Sequence, residues 1–152
     1  MSVSEQLFIK TSLSREKVAK LLCRTLRMEL QEKSQRFYLI TSEKSSLPAR
    51  FGGEIQANRF STVNGEADDV QAFDGYPIVF RMRSTASRAE QVRSACEVAR
   101  KVAEFHDWPL MLIHDLDLLV ARWSPEDGWQ KFPPGTSPDI EDIELWGEGR
   151  SK

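Results

Sequence analysis

The sequence predicts an α+β protein with a mostly antiparallel sheet and two main helices packed on one face of that sheet. Two segments, near residues 14–27 and 87–106, carry apolar residues at helical spacing. Short strand-like runs lie before, between and after these segments, and several of them follow one another through short polar turns, as antiparallel hairpins do. A length of 152 residues is the usual size of one domain.

The N-terminal half begins with a predicted strand at 7–11. Ser14 then caps a helix that ends near Arg27. Strands at 28–30 and 37–40 flank a polar turn, although the first of them could instead extend the helix. The segment that follows is rich in Ser, Gly, Asn and Asp. Within it, only 55–57 and 59–63 indicate extended structure, with a hairpin as one possibility.

The second half has the clearer pattern. Strands are predicted at 76–83, 110–114, 118–123 and 129–132. The intervening helix begins with a capping box, in which Ser87 and Glu90 bond each other's backbone amides, and it ends before Pro109. We therefore expect residues 1–132 to form a single α+β domain, and residues 133–152 to form an acidic tail or arm containing Pro and Gly.

The composition excludes several classes of protein. With 40% hydrophobic and 29% charged residues the chain is an ordinary globular protein, and it has no apolar run of the ~18–20 residues that a membrane span needs. The N-terminal residues lack a secretory signal pattern, so we expect a cytoplasmic protein in which Cys23 and Cys96 are buried and reduced. No known nucleophile, zinc or phosphate-loop motif occurs, so no catalytic, metal or cofactor site is predicted.

Charge is distributed unevenly along the chain. Residues 1–60 hold eleven Lys and Arg against six Asp and Glu, whereas residues 106–152 hold four against ten. An acidic end argues against nucleic acid as the ligand and favours a basic protein partner. Tryptophans in the same region would anchor such an interface if they are exposed. The predicted partner-binding residues are Asp115, Asp117, Trp123, Glu126, Asp127 and Trp129.

Two other clusters contain residue types that occur in catalytic or ligand-binding sites. His114 precedes Asp115 and Asp117, but alternate residues of a strand point to opposite faces, so we expect the two aspartates to cap amides in a turn. Arg81 and Arg83 share the outer face of a predicted strand and could form an anion-binding ridge, but solvated charge at a sheet edge, which commonly blocks aggregation, is the simpler interpretation.

The order of motifs in the second half carries a resemblance. Tyr-Pro-Ile-Val-Phe-Arg-Met-Arg is followed by the helix capped at Ser87, by Trp-Pro-Leu-Met-Leu-Ile-His-Asp-Leu-Asp-Leu-Leu-Val-Ala-Arg-Trp, and by Asp-Gly-Trp. Over residues 76–132 this pattern resembles small bacterial immunity proteins of the Sit toxin-exchange type, in which a strand, a helix and an apolar hairpin around an acidic turn come in the same order. The resemblance implies a non-enzymatic inhibitor that binds a cognate toxin domain.

Two alternative functions remain open at this point. One is an acidic dimeric secretion chaperone for an effector protein, since such domains can bind an unfolded segment by strand addition or groove packing. The other is a small hydrolase or transferase whose site combines carboxylates with Arg81 and Arg83. The sequence leaves the oligomeric state, monomer or dimer, undetermined.

Overall fold

A computed structural model of the chain describes residues 3–59 and 70–147. Its elements are β1 (Glu5–Ile9), α1 (Arg15–Leu26), β2 (Met28–Lys33), β3 (Arg36–Thr41), β4 (Phe51–Ala57), β5 (Ile78–Ser84), α2 (Arg88–Phe105), β6 (Leu110–His114), β7 (Leu118–Ser124), β8 (Gly128–Lys131) and α3 (Ile143–Trp146). The strands form one antiparallel sheet in the order β2-β3-β4-β5-β1-β6-β7-β8. The predicted α+β class, with a mostly antiparallel sheet and two main helices, is confirmed.

Strand β1 lies at the centre of the sheet and pairs with β5 on one side and β6 on the other. Compared with the strand predicted at 7–11, β1 begins and ends two residues earlier. The polar residues Glu5 and Gln6 belong to the strand and are buried, because both faces of β1 are covered and their side chains find hydrogen-bond partners inside the protein.

The two long helices pack on one face of the sheet and bury the larger core. Helix α1 contacts β2 to β4, and α2 contacts β1, β5 and β6. Both predicted N-caps are confirmed: the Ser14 hydroxyl accepts the Lys17 amide at 3.1 Å, and the Ser87 hydroxyl accepts the Glu90 amide at 3.1 Å. Helix α1 ends at Arg27, as predicted, in a left-handed C-cap with φ of 57°.

Two hairpins turn through two residues with positive φ. Ser34 and Gln35 join β2 to β3, and residues 115–117, of which Asp115 and Leu116 have positive φ, join β6 to β7. The polar turn expected around residues 31–35 is shorter than its composition indicates, because the residues before Ser34 continue β2. Such turns usually contain Asn or Gly, so the left-handed Leu116 is held by tertiary contacts: its amide donates to the Gln6 side chain at 2.8 Å.

The face of the sheet opposite the two long helices is covered only from β5 to β7. Residues 70–76 and the arm at 133–147 pack there against β1, β5, β6 and β7 and build a second apolar cluster. Its contacts include Phe8 stacked on Phe73, with ring centroids 4.7 Å apart, and Trp146, which is 6% exposed. Val79, which the strand alternation placed on an outer face, is buried by this layer.

The extended structure predicted at 55–57 belongs to the longer strand β4, while most of the stretch predicted at 59–63 lies outside the described residues. Among the described helices, none combines the length and the apolarity that crossing a bilayer would take.

Candidate functional site

The six predicted partner-binding residues fall into two groups. Asp115 and Asp117 lie at the turn between β6 and β7, whereas the other four lie where β7 turns into β8. The seven residues of β7 separate the two turns by about 20 Å. We name the second group, Trp123, Glu126, Asp127 and Trp129, the tryptophan hairpin.

The two indoles of the tryptophan hairpin are partners across adjacent strands. Trp123 lies opposite Trp129, and their ring centroids are 6.4 Å apart at an interplanar angle of 48°. Trp123 is half-buried and packs against the larger core, while Trp129 is 39% exposed. The half-buried indole of Trp123 thus supports the exposed indole of Trp129 at the edge of the sheet.

The turn of the tryptophan hairpin presents its two acids to solvent. The Ser124 hydroxyl accepts the Asp127 amide at 3.1 Å, and Gly128 continues with φ of 71°. A side chain at Gly128 would meet no atom within 4 Å, so the positive φ, not lack of space, favours glycine there. Glu126 and Asp127 are exposed and lie beside Trp129 in the sequence.

The other two acids do not cap the turn they form. Asp115 and Asp117 are exposed, and within residues 3–59 and 70–147 neither carboxylate accepts a hydrogen bond, so the prediction that they cap amides is wrong. The turn is held by backbone bonds instead, from the Asp115 amide to the Ser4 carbonyl at 2.8 Å and from the Asp117 amide to the His114 carbonyl at 3.2 Å.

His114 bonds a carboxylate that the sequence did not single out. Its Nδ1 lies 2.8 Å from each oxygen of Glu5, which is 2% exposed. The Gln91 amide donates to the same carboxylate at 2.9 Å. Only the register of β1 against β6 brings Glu5 opposite His114, so no local signal in the sequence could have found this group.

The Glu5–His114 pair borders an apolar cavity of about 430 Å³ between α2, β6, β7 and the start of the arm. Cys96 also lines this cavity. Burial raises the pKa of the Cys96 thiol, and burial raises the pKa of Cys23 to about 11. Both cysteines are free and half-buried, and neither has the lowered pKa of an activated nucleophile.

The contacts of the second histidine, His106, indicate a structural role. The Nε2 atom of His106 lies 2.7 Å from the Thr25 hydroxyl, which donates to the Leu21 carbonyl at 2.9 Å, and its ring stacks on Trp108 with centroids 4.1 Å apart. Burial lowers the pKa of His106, and the nearby charge of Asp107 opposes this effect. These contacts join the ends of α1 and α2.

Arg81 and Arg83 occupy the face of the sheet away from the helices, as predicted. Arg83 is exposed, and the half-buried Arg81 donates to the Ser4 hydroxyl at 3.3 Å. Arg81 and the exposed Arg59 line a depression of about 540 Å³ beside the β2–β3 turn. Across the sheet, Arg81 lies opposite Glu54.

Glu54 is already engaged in an ion pair. The Arg36 guanidinium donates two hydrogen bonds to it, at 3.0 and 3.1 Å, and Gln56 donates a third at 3.0 Å. Burial alone would raise the pKa of Glu54, but the hydrogen bonds and charge of Arg36 outweigh it and the pKa lies below its usual value. An ionised, paired carboxylate is a poor general acid, which weakens the carboxylate–arginine enzyme alternative.

Within the part of the chain that the structure describes, no three His, Cys, Asp or Glu side chains are grouped closely enough to hold a metal ion. Comparison of the chain with protein-family models, curated proteins and solved structures finds no match.

Proposed function

We propose that this chain is a non-enzymatic protein-binding module and that the tryptophan hairpin is its contact surface. The observation that carries the proposal is the exposed indole of Trp129, held by the half-buried Trp123 and adjoining two exposed acids. Tryptophan is among the residues that most often dominate binding energy, and a rigidly held indole loses little conformational entropy on binding.

The position of the tryptophan hairpin suits it to contact a protein. Strand β8 lies at the edge of the sheet, where a partner can add an extended segment or cover the indoles. Glu126 and Asp127 give this corner a negative charge that steers a basic partner toward it. Asp115 and Asp117, about 20 Å away, lie outside the patch that the indoles anchor.

For the identity of the partner we propose a bacterial toxin domain that the chain neutralises by binding. The pattern resemblance to Sit-type immunity proteins over residues 76–132 and the acidic charge of residues 106–152 support this proposal. A basic, nuclease-like surface on the toxin would complement the acids of the tryptophan hairpin.

The proposal is tested with the proteins encoded beside this chain. Each of these proteins is purified as a variant with an inactivating substitution in its catalytic site, and its binding to the chain is measured by calorimetry. We expect one to bind, and Trp129→Ala to weaken that binding by about 30-fold or more, as loss of a central aromatic anchor does. The double charge reversal Glu126→Lys with Asp127→Lys should slow association, with a smaller effect at high salt.

The matched control is Asp115→Lys with Asp117→Lys, which makes the same change of charge on the distant turn and should leave affinity nearly unchanged. If no neighbouring protein binds, or if the distant reversal weakens binding as much as the hairpin reversal, the proposal is wrong. Sedimentation of the purified chain separates it from the chaperone alternative, which requires an obligate dimer.

A further inference from the structure

The face of the sheet opposite the helices is open over β2, β3 and β4. The second apolar cluster covers this face only from β5 to β7 and includes no side chain of β2, β3 or β4. Tyr38 is half-buried on this side, and Ile40 is 36% exposed. We call this surface the open face; it includes Arg36, Tyr38, Ile40, Arg50, Gly52, Glu54, Arg81 and Arg83.

Strand register arranges the open face in rows. Arg83 lies opposite Gly52, which lies opposite Ile40, and in the next row Arg81 lies opposite Glu54. A side-chain carbon at Gly52 would come within 2.8 Å of the Leu39 carbonyl oxygen, so glycine is required there. Gly52 lines a depression of about 440 Å³ that also has arginines around it.

The arginines of the open face are not equivalent. Arg36 is neutralised by its two hydrogen bonds to Glu54. Arg50, Arg81 and Arg83 have no acidic partner among residues 3–59 and 70–147. Three guanidinium groups around one shallow depression therefore keep their positive charge available to a ligand.

We propose that the open face binds a short, extended acidic segment of a protein partner. Arg81 and Arg83 are two residues apart on one strand, so they are spaced by about 7 Å, the distance between alternate side chains of an extended peptide. A guanidinium group pairs with a carboxylate through two parallel hydrogen bonds. The residue between two such acids would point away from the sheet, because successive side chains of an extended peptide alternate in direction.

The open face fits an acidic peptide better than a single-stranded nucleic acid. Sequence-tolerant binding of single strands uses several aromatic platforms, whereas the open face has one, Tyr38, with the Arg36 guanidinium already over its ring at 5.6 Å. A single covered ring cannot stack successive bases, whereas the arginines match carboxylates that an extended peptide holds at the spacing of alternate side chains.

This surface is separate from the tryptophan hairpin and does not rest on the function proposed for it. Five strand spacings, about 24 Å, separate β4 from β8 across the sheet. The two surfaces also have opposite charge, so each would recognise a different segment.

The test uses a fluorescein-labelled peptide of four alternating Glu and Val residue pairs, and measures fluorescence anisotropy with the full chain. We expect saturable binding that weakens as NaCl increases. The double substitution Arg81→Ala with Arg83→Ala should weaken it by about tenfold or more, because two charged hydrogen-bonded pairs are lost. The matched control, Arg93→Ala with Arg100→Ala on the exposed side of α2, should leave binding unchanged.

A charge-swapped pair keeps the test decisive if removal of the arginines disturbs folding. The chain with Arg81→Glu and Arg83→Glu should no longer bind the Glu-Val peptide and should bind a Lys-Val peptide instead. Equal binding by the wild-type chain and the Arg81/Arg83 variants would overturn the proposal, as would absence of binding at millimolar peptide. Tighter binding of a twelve-nucleotide oligothymidine, lost in the same variants, would assign the open face to nucleic acid. Trp129→Ala should leave peptide binding intact, so failure of one proposal does not decide the other.

Discussion

Single buried polar residues link parts of this chain that are far apart in sequence. Glu5 receives hydrogen bonds from Gln91, 86 residues later, and contacts His114, 109 residues later. Gln6 is fully buried and accepts a bond from the Leu116 amide. Because each polar atom is satisfied, the central strand tolerates two polar residues that otherwise would destabilise it.

We expect Glu5→Ala to lower the free energy of unfolding by roughly 2–4 kcal/mol, because Gln91 and His114 would each lose an acceptor in a buried site. Urea denaturation followed by circular dichroism measures this loss. Glu16→Ala is the control: its carboxylate pairs with Lys20 at 3.0 Å on the helix surface and should contribute less than about 1 kcal/mol. Equal losses in the two variants would show that the Glu5 contacts are not stabilising.

Among the elements, the C-terminal arm depends most on tertiary contacts. Residues 133–147 contain only a 3₁₀ turn and the four-residue helix α3, which would not persist alone. The arm is held by Trp146, whose indole donates to the Asp139 carbonyl at 3.1 Å, and by Arg122, which donates to the Trp146 carbonyl at 2.6 Å. Its composition is compatible with a tail or a loosely docked arm, and its contacts make it part of the second core.

Trp146 in the arm and Trp129 in the tryptophan hairpin should respond differently to substitution by alanine. Trp146→Ala removes a nearly buried indole and should lower the free energy of unfolding by about 3–5 kcal/mol. Trp129→Ala removes an indole that is 39% exposed and should cost about 1 kcal/mol or less. Chemical denaturation of both variants checks the difference, and similar losses would contradict either the docked arm or the exposure of Trp129.

At the scale of the whole molecule, one sheet supports two cores. The larger core lies under α1 and α2 and the smaller lies under residues 70–76 and the arm, with β1, β5 and β6 contributing side chains to both. The alternating faces of these shared strands connect the two cores mechanically. Charge is divided as well, with unpaired arginines on the open face and acids at the β6–β8 end.

Because the two cores share their strands, we expect unfolding to be a single cooperative transition. Tryptophan fluorescence reports on both cores, because Trp108 and Trp123 pack against the larger core and Trp146 belongs to the smaller one, while far-ultraviolet circular dichroism reports on the whole sheet and both helices. The two signals should give the same urea midpoint. Different midpoints would mean that one part of the molecule unfolds independently of the rest.

Much of the fold was predictable because its signals are local. Helical spacing and capping serines set both long helices, and alternation identified strands such as β5, which has one buried face beyond Val79. The starting residue of β1 was not predictable, since Glu5 and Gln6 resemble a polar loop until their distant partners are known. The burial of Val79 likewise depends on a second layer whose sequence has no regular period.

By itself the sequence determined the α+β class, the helix boundaries near Ser14, Arg27 and Ser87, and the uneven distribution of charge. Only the tertiary structure decided which of the six predicted contact residues lie together and which tryptophan is exposed. It also decided that three arginines without an acidic partner among the described residues border the depression at Gly52 on an open sheet face. The physical reason is the range of the interactions: hydrogen-bond periodicity and capping act within about four residues, whereas strand order and register bring together side chains about a hundred residues apart.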